Sequence, residues 1–307
     1  MSENNIIQEQ NTAVQTPAEE PKKRFRVGFL FLAFVPMAIL MMVQTATQIP
    51  FLILAAVDTA NSSSQGTEFT DVYDKMLTIF NDKYAVFAYL LYAVIGLVIF
   101  SIWYYKGFVK KGPKVKIGEV FGVKSIVGTI LLVIGLYFFT NAFMTLADKL
   151  IPKAMEEYAM LIETAGLVSN PAITIVYAIF LGPVLEELCF RGVTYGLLEK
   201  AGLKPGVVIL ISGILFGAIH LILIQVLYAA FLGVFLGYLR YKYRSIKITI
   251  VAHILFNFMG TYISLLIQDL FDPSDAVTLI LGGIAMFVLV AVIVLINSDK
   301  KAFKPAK

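Results

Sequence analysis

Charge is scarce in this chain. Only 15% of its 307 residues are Asp, Glu, Lys or Arg, and 59% are hydrophobic, whereas a soluble domain carries about a quarter charged residues. Cysteine occurs once, at Cys189, which excludes an internal disulfide. Histidine occurs twice. The net charge of +4 is mild, and the basic residues flank apolar runs instead of forming an interleaved patch, so nothing points to a nucleic-acid surface. Residues 1–24 are polar with a short basic end and no apolar core, which argues for a disordered cytoplasmic tail and against a cleaved signal peptide. No cysteine stands near the start to carry a lipoprotein anchor.

What the chain has instead is long apolar runs. Mean hydropathy is +0.81, and the excess lies in stretches of about 20 residues, enough to cross a bilayer core as helices. The expected fold is all-α: a polytopic transmembrane helical bundle of about eight spans. Their approximate limits are 27–57 (with a break near Pro50), 84–105, 126–148, 171–197, 205–222, 225–240, 248–267 and 276–297. Lys and Arg fall in alternate connections: Lys22 to Arg26, Lys106 to Lys116, Lys200 with Lys204, Arg240 to Lys247, and the tail from Lys300. The intervening connections, 58–83, 148–170 and 268–275, are acidic or neutral. By the positive-inside rule both termini are then cytoplasmic. The protein is expected to be integral and multi-pass, in the cell membrane if the host is prokaryotic. A single membrane domain over 25–297 with a short tail at 298–307 follows, because no linker interrupts the apolar part. In the connection 58–83, Tyr73, Met76, Leu77 and Phe80 have helical spacing and suit a short amphipathic helix at the membrane surface.

An ionisable group inside a span costs several kcal/mol unless it is paired or faces a cavity, so each is a functional candidate. The first half has almost none, and the second half has a cluster. The fourth span reads Glu186-Glu187-Leu-Cys-Phe-Arg191-Gly192. Glu187 and Arg191 are four apart and can pair on one helical face. Glu186 points about 100° away and is free to face something else, which suits a general base. Phe216-Gly-Ala-Ile-His220 and His253-Ile-Leu-Phe-Asn257 follow on later spans. His253 and Asn257 are one turn apart on one face. Both histidines of the chain are therefore intramembrane. The pairs Gly192/Gly196, Gly213/Gly217 and Gly233/Gly237 mark the same spans as places where backbones can approach closely.

In this order, Glu-Glu-x-x-x-Arg, Phe-x-x-x-His and His-x-x-x-Asn resemble the CPBP family, the group of CAAX prenyl endopeptidases (Rce1-like) and bacteriocin-processing or Abi-type membrane proteins. Glu186 to Gly192 is similar to the family's Glu-Glu-x-x-Phe-Arg-Gly. The resemblance covers about residues 171–260, with no departure at the motif positions. It implies a membrane endopeptidase in which Glu186 activates a water, His220 assists, and His253 and Asn257 stabilise the oxyanion, with Glu187 and Arg191 in support. It implies no metal and no cofactor. The partners would be a peptide or protein substrate, lipidated or not, and the bilayer.

Blander readings compete with this one. Glu186 could be a structural carboxylate bridging helices, His220 a helix-bridging hydrogen bond, and His253 with Asn257 interhelical polar glue. Glu187 and Arg191 are well explained as a packing ion pair. A zinc site from Glu186, His220 and His253 is chemically conceivable, but no His-Glu-x-x-His is present. Cys189 as a nucleophile is disfavoured by its carboxylate neighbours. The rival function is a non-proteolytic bacteriocin-immunity or partner-binding membrane protein. Ion-coupled transport is weaker, because no repeat is evident.

Overall fold

A computed structural model of the chain describes residues 25–63, 68–110, 112, 115–164, 173–271 and 273–298. The tails expected at 1–24 and 298–307 lie outside these residues, apart from Ser298. Every regular element among the described residues is helical. Six helices are long and apolar enough to cross a membrane: α1 (Val27–Ser62), α2 (Phe69–Val109), α3 (Val123–Leu150), α7 (Leu223–Tyr243), α8 (Ile246–Phe271) and α9 (Asp275–Asn297). Between them lie α4 (Pro152–Thr164), α5 over 173–200 and α6 (Pro205–Ala218). With exposed apolar side chains along these helices, such as Phe287, Val290 and Val294 on α9, the chain is an integral multi-pass membrane protein. Each of the eight expected spans contains a helix among the described residues, and six of these helices have the length and hydropathy of a crossing helix.

Three details differ from the sequence reading. α1 continues through Pro50, and its irregular turn falls at Ala33–Phe34, just before Pro36. A proline has no N–H for the preceding turn, and the helix restarts at Val35 with Pro36 in its first turn. Near Pro50 the Thr47 hydroxyl donates to the Val43 and Gln44 carbonyls, 2.9 and 3.0 Å, adding side-chain bonds next to the proline's gap. Second, the connection after α3 contains the helix Pro152–Thr164. Third, α6 stops at Ala218, well short of 222. At 14 residues it reaches about 21 Å, against a hydrocarbon core of about 30 Å. The helix expected from the spacing of Tyr73, Met76, Leu77 and Phe80 is present as Phe69–Ile79, the first part of α2.

Glycines set how the helices meet. A Cβ on Gly213 would lie 2.8 Å from Val234 N, and one on Gly217 2.5 Å from the Val226 carbonyl. Gly233 is equally tight against Gly213, at 2.9 Å from its Cα. α6 and α7 therefore pack antiparallel at backbone contact. α5 lies parallel to α2, since Gly96 faces Leu185, Gly192 faces Tyr104 and Gly196 faces Phe108. α3 and α9 run antiparallel, with Gly128 against Ile296, Gly135 against Leu289 and Gly282 against Ala142. Dispersion from such close approach is the main attraction between helices in lipid, where the solvent is as apolar as the side chains. The innermost element is α5, whose residues from Glu187 to Leu198 are all buried.

Candidate active site

α5 is built from alternating registers: wide π-type turns over Ile173–Leu181, α-helix over Gly182–Glu187, π-type turns over Leu188–Thr194, and α-helix over Tyr195–Lys200. Such widened turns are frequent at functional sites. They bracket the two carboxylates. In the first wide segment the carbonyl of residue i bonds the N–H of residue i+5, and for Ala178 that residue is Pro183, which has no N–H. The orphaned Ala178 carbonyl is taken by the Asn257 side-chain amide of α8, at 2.8 Å.

Glu187 is the centre of the charged network. Its Oε1 accepts from Arg191 at 2.8 Å, with both side chains fully buried. The same oxygen stands 3.2 Å from His253 Nδ1. Arg191 also donates to the Gly233 carbonyl at 2.9 Å, and its own carbonyl accepts from Arg240 Nε at 3.2 Å. One guanidinium thus ties α5 to α7, while Glu187 ties α5 to α8. Thr249, one turn before His253, faces the same carboxylate. Breaking a buried ion pair is costly because the remaining charge has no water, and here three helices depend on it.

Glu186 points elsewhere, as the 100° step requires. Its carboxylate is 21% exposed, unlike that of Glu187, and its Oε2 lies 3.7 Å from His253 Nε2. That is beyond a direct hydrogen bond and within range of one shared through a water. His253 therefore stands between the two carboxylates with one ring nitrogen toward each. A carboxylate only accepts, so Nδ1 carries a proton toward Glu187. Donation through Nε2 as well needs the doubly protonated ring, and with it the set Glu186, Glu187, Arg191 and His253 sums to zero charge.

His220 is held differently. Its Nδ1 lies 3.0 Å from the Phe216 carbonyl and 3.3 Å from that of Gly217. Carbonyls only accept, so Nδ1 is a protonated nitrogen, and in the neutral ring Nε2 would carry the lone pair. His220 makes no hydrogen bond to Glu186 among the described residues. Phe216 joins it to the rest. The Phe216 ring meets His220 and His253 edge-on at 5.4 Å each, and the Arg191 guanidinium lies over its face at 4.2 Å. The chain leaves His220 through a strained turn: Ile222 N–H donates to the His220 carbonyl at 2.8 Å across Leu221, whose φ is +65°. A non-glycine residue there is uncommon and costs energy.

The structure thus joins Glu187, Arg191 and His253 by direct hydrogen bonds, sets Glu186 3.7 Å from His253, attaches His220 through Phe216, and places Asn257 on the Ala178 carbonyl one turn along α8. Among the described residues, no three His, Cys, Asp or Glu side chains converge as a metal-ligand set, so the zinc arrangement weighed from the sequence is not assembled. Sequence reasoning missed Thr249, Arg240 and a group of tyrosines. Tyr92, Tyr177 and Tyr228 are within electrostatic reach of Glu186. Thr249 had a signal, the spacing of four before His253. Tyr92 and Tyr228 had none, since they come from other helices.

Residues 168–259 match the family model of the type II CAAX prenyl endopeptidases, Rce1-like. The match takes in α5, α6, α7 and the site-bearing part of α8, less than a third of the chain, and contains all six residues picked from the sequence. No curated protein and no solved structure matches the chain significantly.

Proposed function

With residues 168–259 similar to a membrane endopeptidase family, we propose that this protein hydrolyses peptide bonds at Glu186 within the membrane. The observation that carries this reading is the asymmetry of the two adjacent carboxylates. Glu187 is fully buried and committed to Arg191 and His253, whereas Glu186 is partly open and faces His253 at 3.7 Å. A structural pair needs only the first, and a hydrolase needs both.

In the proposed reaction Glu186 takes a proton from a water as the water oxygen bonds to the scissile carbonyl carbon. The C=O π electrons move to oxygen, and the resulting oxyanion is met by His253 Nε2–H and Asn257. Collapse reforms the carbonyl, breaks the C–N bond, and passes the proton from Glu186 to the leaving amine. His220, with Nδ1–H held by the Phe216 carbonyl, assists as the neutral ring through Nε2 by accepting from the same water. Glu187 and Arg191 position His253. No covalent intermediate is needed. The substrate class suggested by the family's description is a prenylated peptide ending in a CAAX sequence, and a leader peptide is the other candidate.

The test compares peptides and protein termini from cells expressing wild type or Glu186→Gln at matched membrane levels. A product made by wild type and absent with both Glu186→Gln and His220→Ala is expected. Identical profiles, with a host phenotype that survives Glu186→Gln, would replace the hydrolase by a bacteriocin-immunity or partner-binding role, which tolerates an isosteric amide.

A further inference from the structure

Polar residues recur at every fourth position along the buried part of α5: Glu187, Arg191, Tyr195 and Glu199. That spacing puts them on one face, and α7 meets the face residue by residue. Arg191 donates to the Gly233 carbonyl at 2.9 Å, and Arg240 Nε donates to the Arg191 carbonyl at 3.2 Å. The Arg240 guanidinium lies 5.4 Å from the centre of the Tyr195 ring. Arg244, just past the end of α7, pairs with Glu199. A polar seam thus runs between α5 and α7, from the ion pair beside His253 to a partly exposed ion pair where both helices end.

Protein groups alone do not satisfy this seam. Glu187 Oε2, Arg191 Nε and the Tyr195 hydroxyl are buried, and none has a hydrogen-bond partner among the described residues. Their three side chains belong to residues that are 0% exposed. Thr249, near Glu187, gives its hydroxyl proton to the Ile246 carbonyl at 2.9 Å. Arg240 is 8% exposed and has no ion pair among the described residues, so its charge is buried without a counter-charge. Buried polar atoms of native proteins are nearly always bonded, to protein or to ordered water, and a buried charge needs polar contacts around it. The unmet atoms and the unbalanced cation on one seam therefore point to a ligand, and the enclosure limits it to something very small. Four residues rise about 6 Å on an α-helix, close to the ~5.5 Å between two polar atoms bridged by one water.

We propose that the seam holds a file of ordered waters that enters at Glu199 and Arg244 and ends on Glu187 Oε2. Waters on Arg240 and the Tyr195 hydroxyl form its outer part, and water bridging Arg191 Nε to Glu187 forms its inner end. The file approaches the site from the far side of Glu187, separate from the open side of Glu186. It supplies the solvation that keeps both members of the Glu187–Arg191 pair charged in a fully buried place. Through that pair it holds His253, 3.2 Å from Glu187 Oε1, where the ring faces Glu186. Tyr195 and Arg240 act through water and touch no reacting atom. The inference goes beyond the peptidase reading and does not rest on it, since a buried ion pair needs solvation whatever Glu186 does.

The test is X-ray hydroxyl-radical labelling of full-length protein in vesicles, read residue by residue by mass spectrometry. Radicals form where water is bound, so a buried ring beside ordered water is labelled and a ring in a dry core is not. Tyr195 is expected to take up label at a rate comparable with Tyr73, which is 48% exposed, while Phe190, on the same helix and 0% exposed, takes up none. Arg240→Met puts an apolar chain into the seam and should lower the Tyr195 label to the Phe190 level, with Tyr73 unchanged. Tyr195→Phe removes the hydroxyl alone. In a hydrated seam that loses a bond to water and lowers the melting temperature, whereas in a dry seam it removes an unmet donor and raises it. Tyr195 as unlabelled as Phe190, or a raised melting temperature in Tyr195→Phe, overturns the inference. Label that persists on Tyr195 in Arg240→Met, with Phe190 still unlabelled, overturns the part given to Arg240. If Arg240→Met fails to fold, seen as label on Phe190, wild type and Tyr195→Phe decide between the two outcomes. These readouts use no peptide cleavage, so failure of the peptidase reading leaves them unchanged.

Discussion

Glu187 receives both Arg191 and His253 on one oxygen, and this shared acceptor decides what substitutions do. Arg191→Met fills the volume but strands a buried carboxylate, and the expected loss is about 3–5 kcal/mol of folding stability. Glu187→Gln with Arg191→Met removes both charges and should recover much of it, a non-additivity readable in a double-mutant cycle by thermal unfolding in detergent. Glu186→Gln should leave the same unfolding curve unmoved, because Glu186 is partly open and has no direct hydrogen bond among the described residues. The pairing of Glu187 with Arg191 and the divergence of Glu186 were legible in the sequence, since both follow from helical geometry alone. The stacking of Tyr177 on Tyr89, with Tyr92 close by, was not, because it depends on a register change in α5 and on a helix some ninety positions earlier, and no local period reports that meeting.

At the scale of elements, α5 and α8 are joined where α5 cannot satisfy itself. Asn257→Leu removes the donor to Ala178 and leaves a carbonyl unpaired in an apolar setting, worth about 1–3 kcal/mol. Pro183→Ala restores a backbone N–H at the position the wide turn requires. The same Asn257→Leu change should therefore cost less in a Pro183→Ala background, and equal costs in both would show that the proline does not orphan the carbonyl. The helix contacts make a second prediction. Gly217→Leu must push into the Val226 carbonyl and the Ala230 backbone, at 2.5 and 2.8 Å from its Cβ, neither of which can rotate away. Folded yield measured by gel filtration should collapse, whereas Gly118→Leu, with open space around it, should express normally. The glycine spacing announced close contacts in advance. It did not say that Gly192 and Gly196 would receive Tyr104 and Phe108 instead of another glycine face, since small-xxx-small describes one helix and leaves its partner unnamed.

Over the whole molecule, helix directions alternate consistently. α2 is parallel to α5, α6 antiparallel to α7, and α3 antiparallel to α9, as they must be if eight helical passes run in turn. With basic residues at alternate connections, both termini would share the cytoplasmic side. In a Cys189→Ala background, single cysteines at Lys110, Lys204 and Lys247 should react with an impermeant thiol reagent only after the membrane is opened, while cysteines at Ser63 and Lys153 should react in intact cells. Reaction of Lys204→Cys from outside would overturn the orientation. The break expected at Pro50 and the helix found at Pro152–Thr164 show where hydropathy alone misleads. A proline inside lipid is tolerated when neighbours supply bonds, and a polar helix held by Tyr158 against Tyr228, 3.4 Å between hydroxyls, has no apolar run to betray it.

The brevity of α6 reaches back to how the chain is made. A segment of 14 residues, which carries His220 just beyond its end and spends its closest contacts on the glycine face of α7, is a poor candidate for entering the bilayer by itself. Ribosome and translocon would have to hold α6 until α7 emerges and release the two as one hairpin. Truncations that end after residue 222 should then leave α6 in the aqueous phase, accessible to protease, and extension through Tyr243 should bury it. The contact that brings His220 to the site would also be the contact that inserts it.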